Sequence, residues 1–308
     1  MSSRWFKVGV SVGLFAFLLI STDLQTFRRH LSTAPLAWVI VAFLGYLLGQ
    51  IISAYKWQVL ARPLGFIQPL RVFVSYYFSG MYLNLFAPST VAGDFGRSAL
   101  LAGDRKRLGP ALHSVVADRV SGLITLLWVC AVGSLLADLK PLPVSVRYGV
   151  IAITLGATGG WFLLPTLLGH AFPLSFKLRG FIERLIAPYQ NAPVVLWSAC
   201  GISLVFHFLQ IGMQILLARA LHIDTSVWAL LVCIPLVSVL SGLPISFGGV
   251  GVREGGYVML LTPLGVEREQ ALALGMLWSA VVLSANVTGG LALLLSADIK
   301  LPLKSKES

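Results

Sequence analysis

The chain alternates long apolar stretches with short polar or Pro-containing gaps. A hydrocarbon core of about 30 Å is crossed by about 20 helical residues, so runs of that length predict membrane-spanning helices. Six runs qualify, at approximately 5–22, 35–55, 111–137, 147–168, 194–218 and 270–296. Two more regions, 72–102 and 226–263, are apolar enough to enter the bilayer but are interrupted at their middles by Pro and Gly. Each leaves two short halves, the pattern of a broken re-entrant hairpin that returns to its own side of the membrane. The expected fold is all-α: a polytopic membrane helical bundle of about six full spans plus two Pro/Gly-broken hairpins, forming a single integral membrane domain over 1–308.

Composition agrees with this pattern. The chain is 57% hydrophobic and 11% charged, where a soluble domain carries roughly 25% charged residues. A net charge of +11 would suit nucleic acid, but the Lys and Arg sit in gaps between apolar runs and not along one solvated face. Nucleic acid is therefore excluded as a partner, and the charge reads as topology. With the N-terminus in the cytoplasm, fourteen of the 23 Lys and Arg fall on the cytoplasmic side, Lys56 among them, six fall opposite, and Arg97, Arg119 and Arg253 lie at membrane depth. Both termini are expected to be cytoplasmic.

The opening "MSSRWFKVGVSVGLFAFLLIST" has no small-x-small cleavage site and reads as a retained first helix, which suits a prokaryotic inner membrane. "FPLSFKLRGFIERLIAPY" (172–189) reads as an interfacial amphipathic helix or a plain cytoplasmic loop. Cys130, Cys200 and Cys233 lie in apolar runs without metal or redox spacing, so they read as packed thiols, and no metal or cofactor is expected.

The candidate chemistry sits in the two breaks. Set against each other, "PSTVAGDFGR" (88–97) and "PISFGGVGVR" (244–253) share Pro, Gly and Arg at the first, sixth and tenth positions. They divide the chain into halves of about 1–146 and 147–308, and the hairpins would enter from opposite sides, as in the inverted repeats of secondary transporters. Broken helices of that kind turn free N–H groups toward an anion, and Gly93, Gly96, Gly249 and Gly251 would let a phosphate approach the backbone. Arg97 and Arg253 add positive charge beside it.

An arginine at membrane depth costs on the order of 2.5–3.5 kcal/mol, so it persists when paired, wetted or used. The alternative to ligand binding is a buried lock, with Arg97 paired to Asp94 or Asp118 and Arg253 to Glu254 or Asp94. Adjacent helical positions point roughly 100° apart, so Asp118 and Arg119, or Arg253 and Glu254, need partners outside their own dipeptides. One network of Asp94, Arg97, Asp118, Arg119, Arg253 and Glu254 would satisfy all six, and its carboxylates could carry protons. Asn84, four residues before Pro88, reads as a cap for freed backbone or as a substrate contact. His113, His170 and His207 stand alone among apolar neighbours and read as packed or interfacial. "GGVGVREGG" (248–256) matches neither nucleotide-loop pattern.

Four stretches, "KWQVLARPLG" (56–65), "YLNLFAPSTVAGDFGR" (82–97), "VVADRVSGL" (115–123) and "LPISFGGVGVREGG" (243–256), carry a resemblance. Through them the chain resembles the transmembrane-domain family of lysylphosphatidylglycerol synthases over nearly its whole length. The resemblance implies a region that moves aminoacylated lipid between leaflets, and the cytosolic synthase domain is absent, so lipid translocation is the expected activity. Carried over residue by residue, it points to Asp94 with Arg97, Asp118 with Arg119, and Arg253 with Glu254. Stand-alone relatives beside isoprenoid-lipid and glycolipid pathways widen the implied cargo beyond phosphatidylglycerol. "AGD" replaces the family's common double glycine in the first break.

The expectation is a non-enzymatic lipid flippase or transporter whose partners are membrane lipids with anionic head groups. Two alternatives stay open: a membrane-embedded lipid-modifying transferase using Asp94, Asp118 or Glu254 as base, and a scaffold for a lipid-synthesis enzyme. A homo-oligomer is compatible with all three.

Overall fold

The computed structural model describes residues 34–86, 91–137, 144–170, 188–189, 192–243, 246 and 248–295, with 13, 18, 23, 25–27 and 29 before them. Every regular element among the described residues is a helix. In chain order they are α1 (Leu36–Ala61), α2 (Leu70–Asn84), α3 (Val91–Ala102), α4 (Leu108–Leu136), α5 (Val144–His170), α6 (Pro193–Ala220), α7 (Val227–Gly242), α8 (Val252–Leu261) and α9 (Arg268–Leu295). The first expected span, 5–22, and the stretch 172–189 lie outside the described residues, apart from Leu18 and Gly13 in the former and Pro188 and Tyr189 in the latter. Tyr189 is buried and its hydroxyl donates to the Leu60 carbonyl at 2.8 Å.

Residues 36–64, 108–136, 194–220 and 268–291 are helical, long and apolar enough to cross a membrane. They expose Leu, Val and Trp side chains to their surroundings: Leu36 is 72% accessible, Trp197 71% and Leu291 65%. Apolar surface on that scale needs hydrocarbon around it, and the protein is an integral membrane protein. The broken regions behave differently. α2, α3, α7 and α8 have 15, 12, 16 and 10 residues, so at a rise of 1.5 Å they span about 15–24 Å, short of a 30 Å core.

Local chemistry sets the helix ends. Pro35 and Pro69 occupy the N-cap positions of α1 and α2, where a missing N–H costs nothing. α1 and α8 share one exit: a single 3-10 turn containing Pro, then a left-handed glycine, Gly65 (φ 83°) and Gly265 (φ 86°), whose N–H bonds back to Arg62 and Thr262 at 3.0 Å. The residues that follow, Phe66 and Val266, are buried and pin each exit to the core. Because α1 continues to that exit, it overruns the expected end at 55 and takes Lys56 inside the helix.

Helix pairing follows a crossed pattern. α1 lies along α6, α2 packs on α3 and α9, α7 packs on α8 and α4, and α5 lies against α4. α2 and α3 approach closely because both carry glycine at the contact: a Cβ on Gly80 would sit 2.8 Å from the Gly93 carbonyl. The first broken pair thus packs on α9 and the second on α4.

Candidate functional site

The first broken pair builds a charged cluster. Asn84, the last residue of α2, accepts a hydrogen bond from the Gly93 N–H at 2.9 Å and caps the entry to α3, the structural one of its two expected roles. Asp94 and Arg97 lie one turn apart on α3, so they share a face, and Arg97 Nε donates to Asp94 Oδ1 at 3.1 Å. α4 contributes Asp118 and Arg119, which point apart as adjacent helical residues must. Asp118 Oδ2 accepts from Arg97 Nη2 at 2.9 Å, while Arg119 grips Asp94 with two bonds of 2.9 Å from Nε and Nη2.

α1 completes the cluster with Lys56, whose ammonium lies 3.0 Å from Asp118 Oδ1 and donates to the Asp118 carbonyl at 2.9 Å. The Arg97 guanidinium is stacked against Trp57 and Tyr77, at 4.8 and 4.7 Å from their ring centroids. Those rings are fixed in turn: Trp57 Nε1 donates to Ser114 Oγ, and the Tyr77 hydroxyl bonds Ser53 Oγ, both at 2.9 Å. Lys56, Arg97 and Asp118 are nearly inaccessible, so two cations share one carboxylate in a desolvated knot, while Asp94 and Arg119 at its rim are partly accessible.

The second broken pair is built otherwise. Gly248, Gly249 and Gly251 adopt φ of +61°, +82° and +82°, conformations that a side chain would strain, and they turn the chain into α8. Glu254, in the first turn, folds back so that its Oε2 accepts the Gly251 N–H at 2.7 Å, while its other oxygen accepts the Ser279 hydroxyl of α9. Arg253 Nη1 donates to the same Ser279 oxygen at 2.8 Å. Among the described residues, neither Arg253 nor Glu254 has an ion-pair partner.

A cavity of about 400 Å³ lies between the two pairs. Asp94, Arg97, Arg119, Arg253 and Glu254 all line it, with the uncharged polar groups of Tyr46, Gln50, Ser279 and Asn286. Leu283, 57% accessible on the outer side of α9, stands on its wall and links it to the lipid-facing surface. A second cavity of about 290 Å³ shares Tyr46, Gln50, Tyr77, Arg119 and Arg253 with the first and continues toward Gln210, Gln214 and Ser238.

The expected residues therefore gather, but not in one network. Asp94, Arg97, Asp118 and Arg119 form the first cluster, Arg253 and Glu254 belong to the second, and no hydrogen bond or ion pair joins the two among the described residues. The ten-residue match aligns Arg97 with Arg253, yet Arg97 is well inside α3 and Arg253 is in the first turn of α8. What the two breaks share in space is an acid in the first helical turn, Asp94 and Glu254.

The glycines are placed for backbone reasons. Gly93 packs on Gly80, Gly96 lies under Leu83, and the Gly251 N–H is taken by Glu254. Gly249 turns the chain beside Arg253.

Lys56 and Ser279 were not anticipated as site residues. Lys56 had been counted among the cytoplasmic loop charges, and the absence of a helix breaker before Pro63 was the signal that it belongs to the helix. Ser279 is a lone hydroxyl in an apolar helix and gives no signal of its own. His207 is packed as expected, its Nε2 2.9 Å from the Gly122 carbonyl. His170 has no described side chain. Cys130, Cys200 and Cys233 are free thiols.

Residues 4–290 fit the family model described as the lysylphosphatidylglycerol synthase TM region. No curated protein and no solved structure matches the chain. Because the match spans nearly the whole sequence, the chain belongs to this family, membrane proteins linked to lipid metabolism or lipid flipping.

Proposed function

We propose, from that membership and from the charges lining the cavity, that the protein is a flippase or transporter. Its substrate would be an anionic or lipid-linked molecule, a phospholipid, glycolipid or isoprenoid, carried between leaflets with its head group in the cavity and its chains in the bilayer. The observation that carries this reading is Arg253, a guanidinium on the cavity wall whose one hydrogen-bond partner among the described residues is a neutral hydroxyl. A charge in that setting is stabilised by an anion that enters from outside the fold. Arg119, with 49% of its side-chain surface accessible, stands across the same cavity as a second phosphate contact. Arg97 is already held by two carboxylates and two aromatic rings, so it positions Asp94 and leaves phosphate binding to the other two.

The crossed packing supports an inverted repeat of two halves within one membrane domain. Exchanging α1 with α6, α2 with α7, α3 with α8 and α4 with α9 turns the α2–α9 contact into the α7–α4 contact and leaves α1–α6 unchanged. Rocking one half against the other would alternate access to the cavity. Both termini face the cytoplasm in this reading, and moving Lys56 from loop to interior lowers that side's charge count by one without removing its excess.

The test is leaflet exchange of fluorescent phosphatidylglycerol in liposomes, comparing the wild-type protein with Arg253→Gln at equal reconstituted amounts. The expected result is exchange that depends on the protein and is lost in the variant. Equal exchange by both would overturn the assignment of Arg253.

A further inference from the structure

The second cavity, of about 290 Å³, adjoins the first and is built of different chemistry. Arg119 and Arg253 stand on the walls of both. Beyond them the second is lined, among the described residues, by no carboxylate and by no further Lys or Arg. Its polar walls include the amides of Gln210 and Gln214 and the hydroxyls of Ser238, Ser241, Ser246 and Tyr257, with aromatic surface from Phe206 and Trp278.

Several of these groups have capacity to spare. Gln210 and Ser246 are 7% and 2% accessible, and Gln210 Oε1 and Ser246 Oγ are buried without a hydrogen-bond partner among the described residues. Ser238 and Ser241 donate to the Ile234 and Val237 carbonyls of their own helix at 2.8 and 2.6 Å, which leaves lone pairs on both oxygens. An open buried acceptor is desolvated without return, so several around one cavity are completed by O–H donors from outside the fold.

The proposed repeat accounts for the room. Counted from their helix starts, Gln214 on α6 and Ser238 and Ser241 on α7 hold the positions of Trp57 on α1 and Met81 and Asn84 on α2. In the first half Trp57 carries the Arg97 stack and Asn84 caps α3. The second half has smaller polar groups at those positions, and a cavity beside them.

We infer that the second cavity is a subsite for a neutral polyhydroxylated group, a cyclic polyol or a sugar, esterified to the phosphate held by Arg119 and Arg253. Amides and hydroxyls both donate to and accept from neighbouring hydroxyls, and Phe206 and Trp278 offer apolar surface to ring C–H groups. The inference rests on the transport reading for the phosphate at Arg253 and deepens it by naming what lies beyond that phosphate.

The experiment compares thermal stabilisation of the purified full chain in a neutral detergent by phosphatidylinositol and phosphatidylmethanol. Both are diesters with one negative charge and no amine, and they differ in the hydroxylated ring. Phosphatidylinositol is expected to stabilise at concentrations at least about tenfold lower, the effect of roughly one or two hydrogen bonds. Ser238→Ala combined with Ser241→Ala removes two hydroxyls whose own bonds stay within α7, and it is expected to narrow that preference while leaving phosphatidylmethanol unchanged. Arg253→Gln is expected to weaken both lipids alike. Equal stabilisation by the two lipids, stabilisation by neither, or an unchanged preference in the double variant would overturn the inference. Inositol 1-phosphate acting as strongly as phosphatidylinositol would overturn the lipid as source of the polyol. Leaflet exchange without the inositol preference would sink the subsite and spare the transport reading; the preference without leaflet exchange would do the reverse.

Discussion

The two broken helix pairs do opposite things with the same ingredients. Around α2 and α3, every carboxylate is claimed by two cations, the central guanidinium is stacked on Trp57 and Tyr77, and Asn84 closes the helix end. Around α7 and α8, the acid folds onto its own helix end and the arginine beside it has, among the described residues, only a serine hydroxyl for a hydrogen-bond partner. The first arrangement resists change because any lost partner strands a buried charge. The second leaves Arg253 without a described ion-pair partner, so in the proposed function one half of the molecule acts as the lock and the other as the receptor.

Substitutions can break or sharpen that contrast. The largest effect belongs to Asp118→Ala, which strands Lys56 and Arg97 together and is expected to cost about 3–5 kcal/mol, read as a fall in the unfolding midpoint in detergent. A variant as stable as wild type would show that the first cluster is wetted rather than locked. Gly93→Ala drives a methyl group into the Gly80 carbonyl and the Asn84 side chain, an overpacking expected to cost about 1–3 kcal/mol. Gly255→Ala is its control in the second pair: the added carbon meets nothing closer than 3.9 Å, and the same unfolding measurement should barely move. Asn84→Ala removes the α3 cap and is expected to cost about 0.5–2 kcal/mol. Arg253→Gln should be the mildest for stability, under about 1 kcal/mol by the same readout, because it removes one hydrogen bond to a hydroxyl. Its effect should appear in lipid exchange instead.

Much of this was legible in the sequence because hydrophobic length is a blunt and reliable signal in a membrane chain. The expected run 194–218 became α6 (Pro193–Ala220), and 270–296 became α9 (Arg268–Leu295). Both breaks fell where Pro and Gly interrupt apolar stretches, and the buried partners of Arg97 were among those expected for it. The register within the breaks was not legible. Where a helix starts after a glycine turn depends on which N–H groups find acceptors, and Glu254 and Asn84 settle that through side-chain contacts that no alignment of Pro, Gly and Arg encodes. Lys56 escaped for a related reason: a lysine at the end of an apolar run looks like a loop charge until Asp118 on another helix neutralises it. Pro235 is the reverse case, a proline inside α7 that does not end the helix.

The central claim is that an anionic lipid head group completes Arg253, and the most direct measurement is an experimental density map of the protein in a bilayer containing phosphatidylglycerol. The predicted result is a lipid phosphate in the cavity between the broken pairs, about 2.7–3.2 Å from the Arg253 guanidinium, with its chains leaving past Leu283. A map in which Arg253 closes onto a protein carboxylate, with no lipid between the pairs, would contradict it.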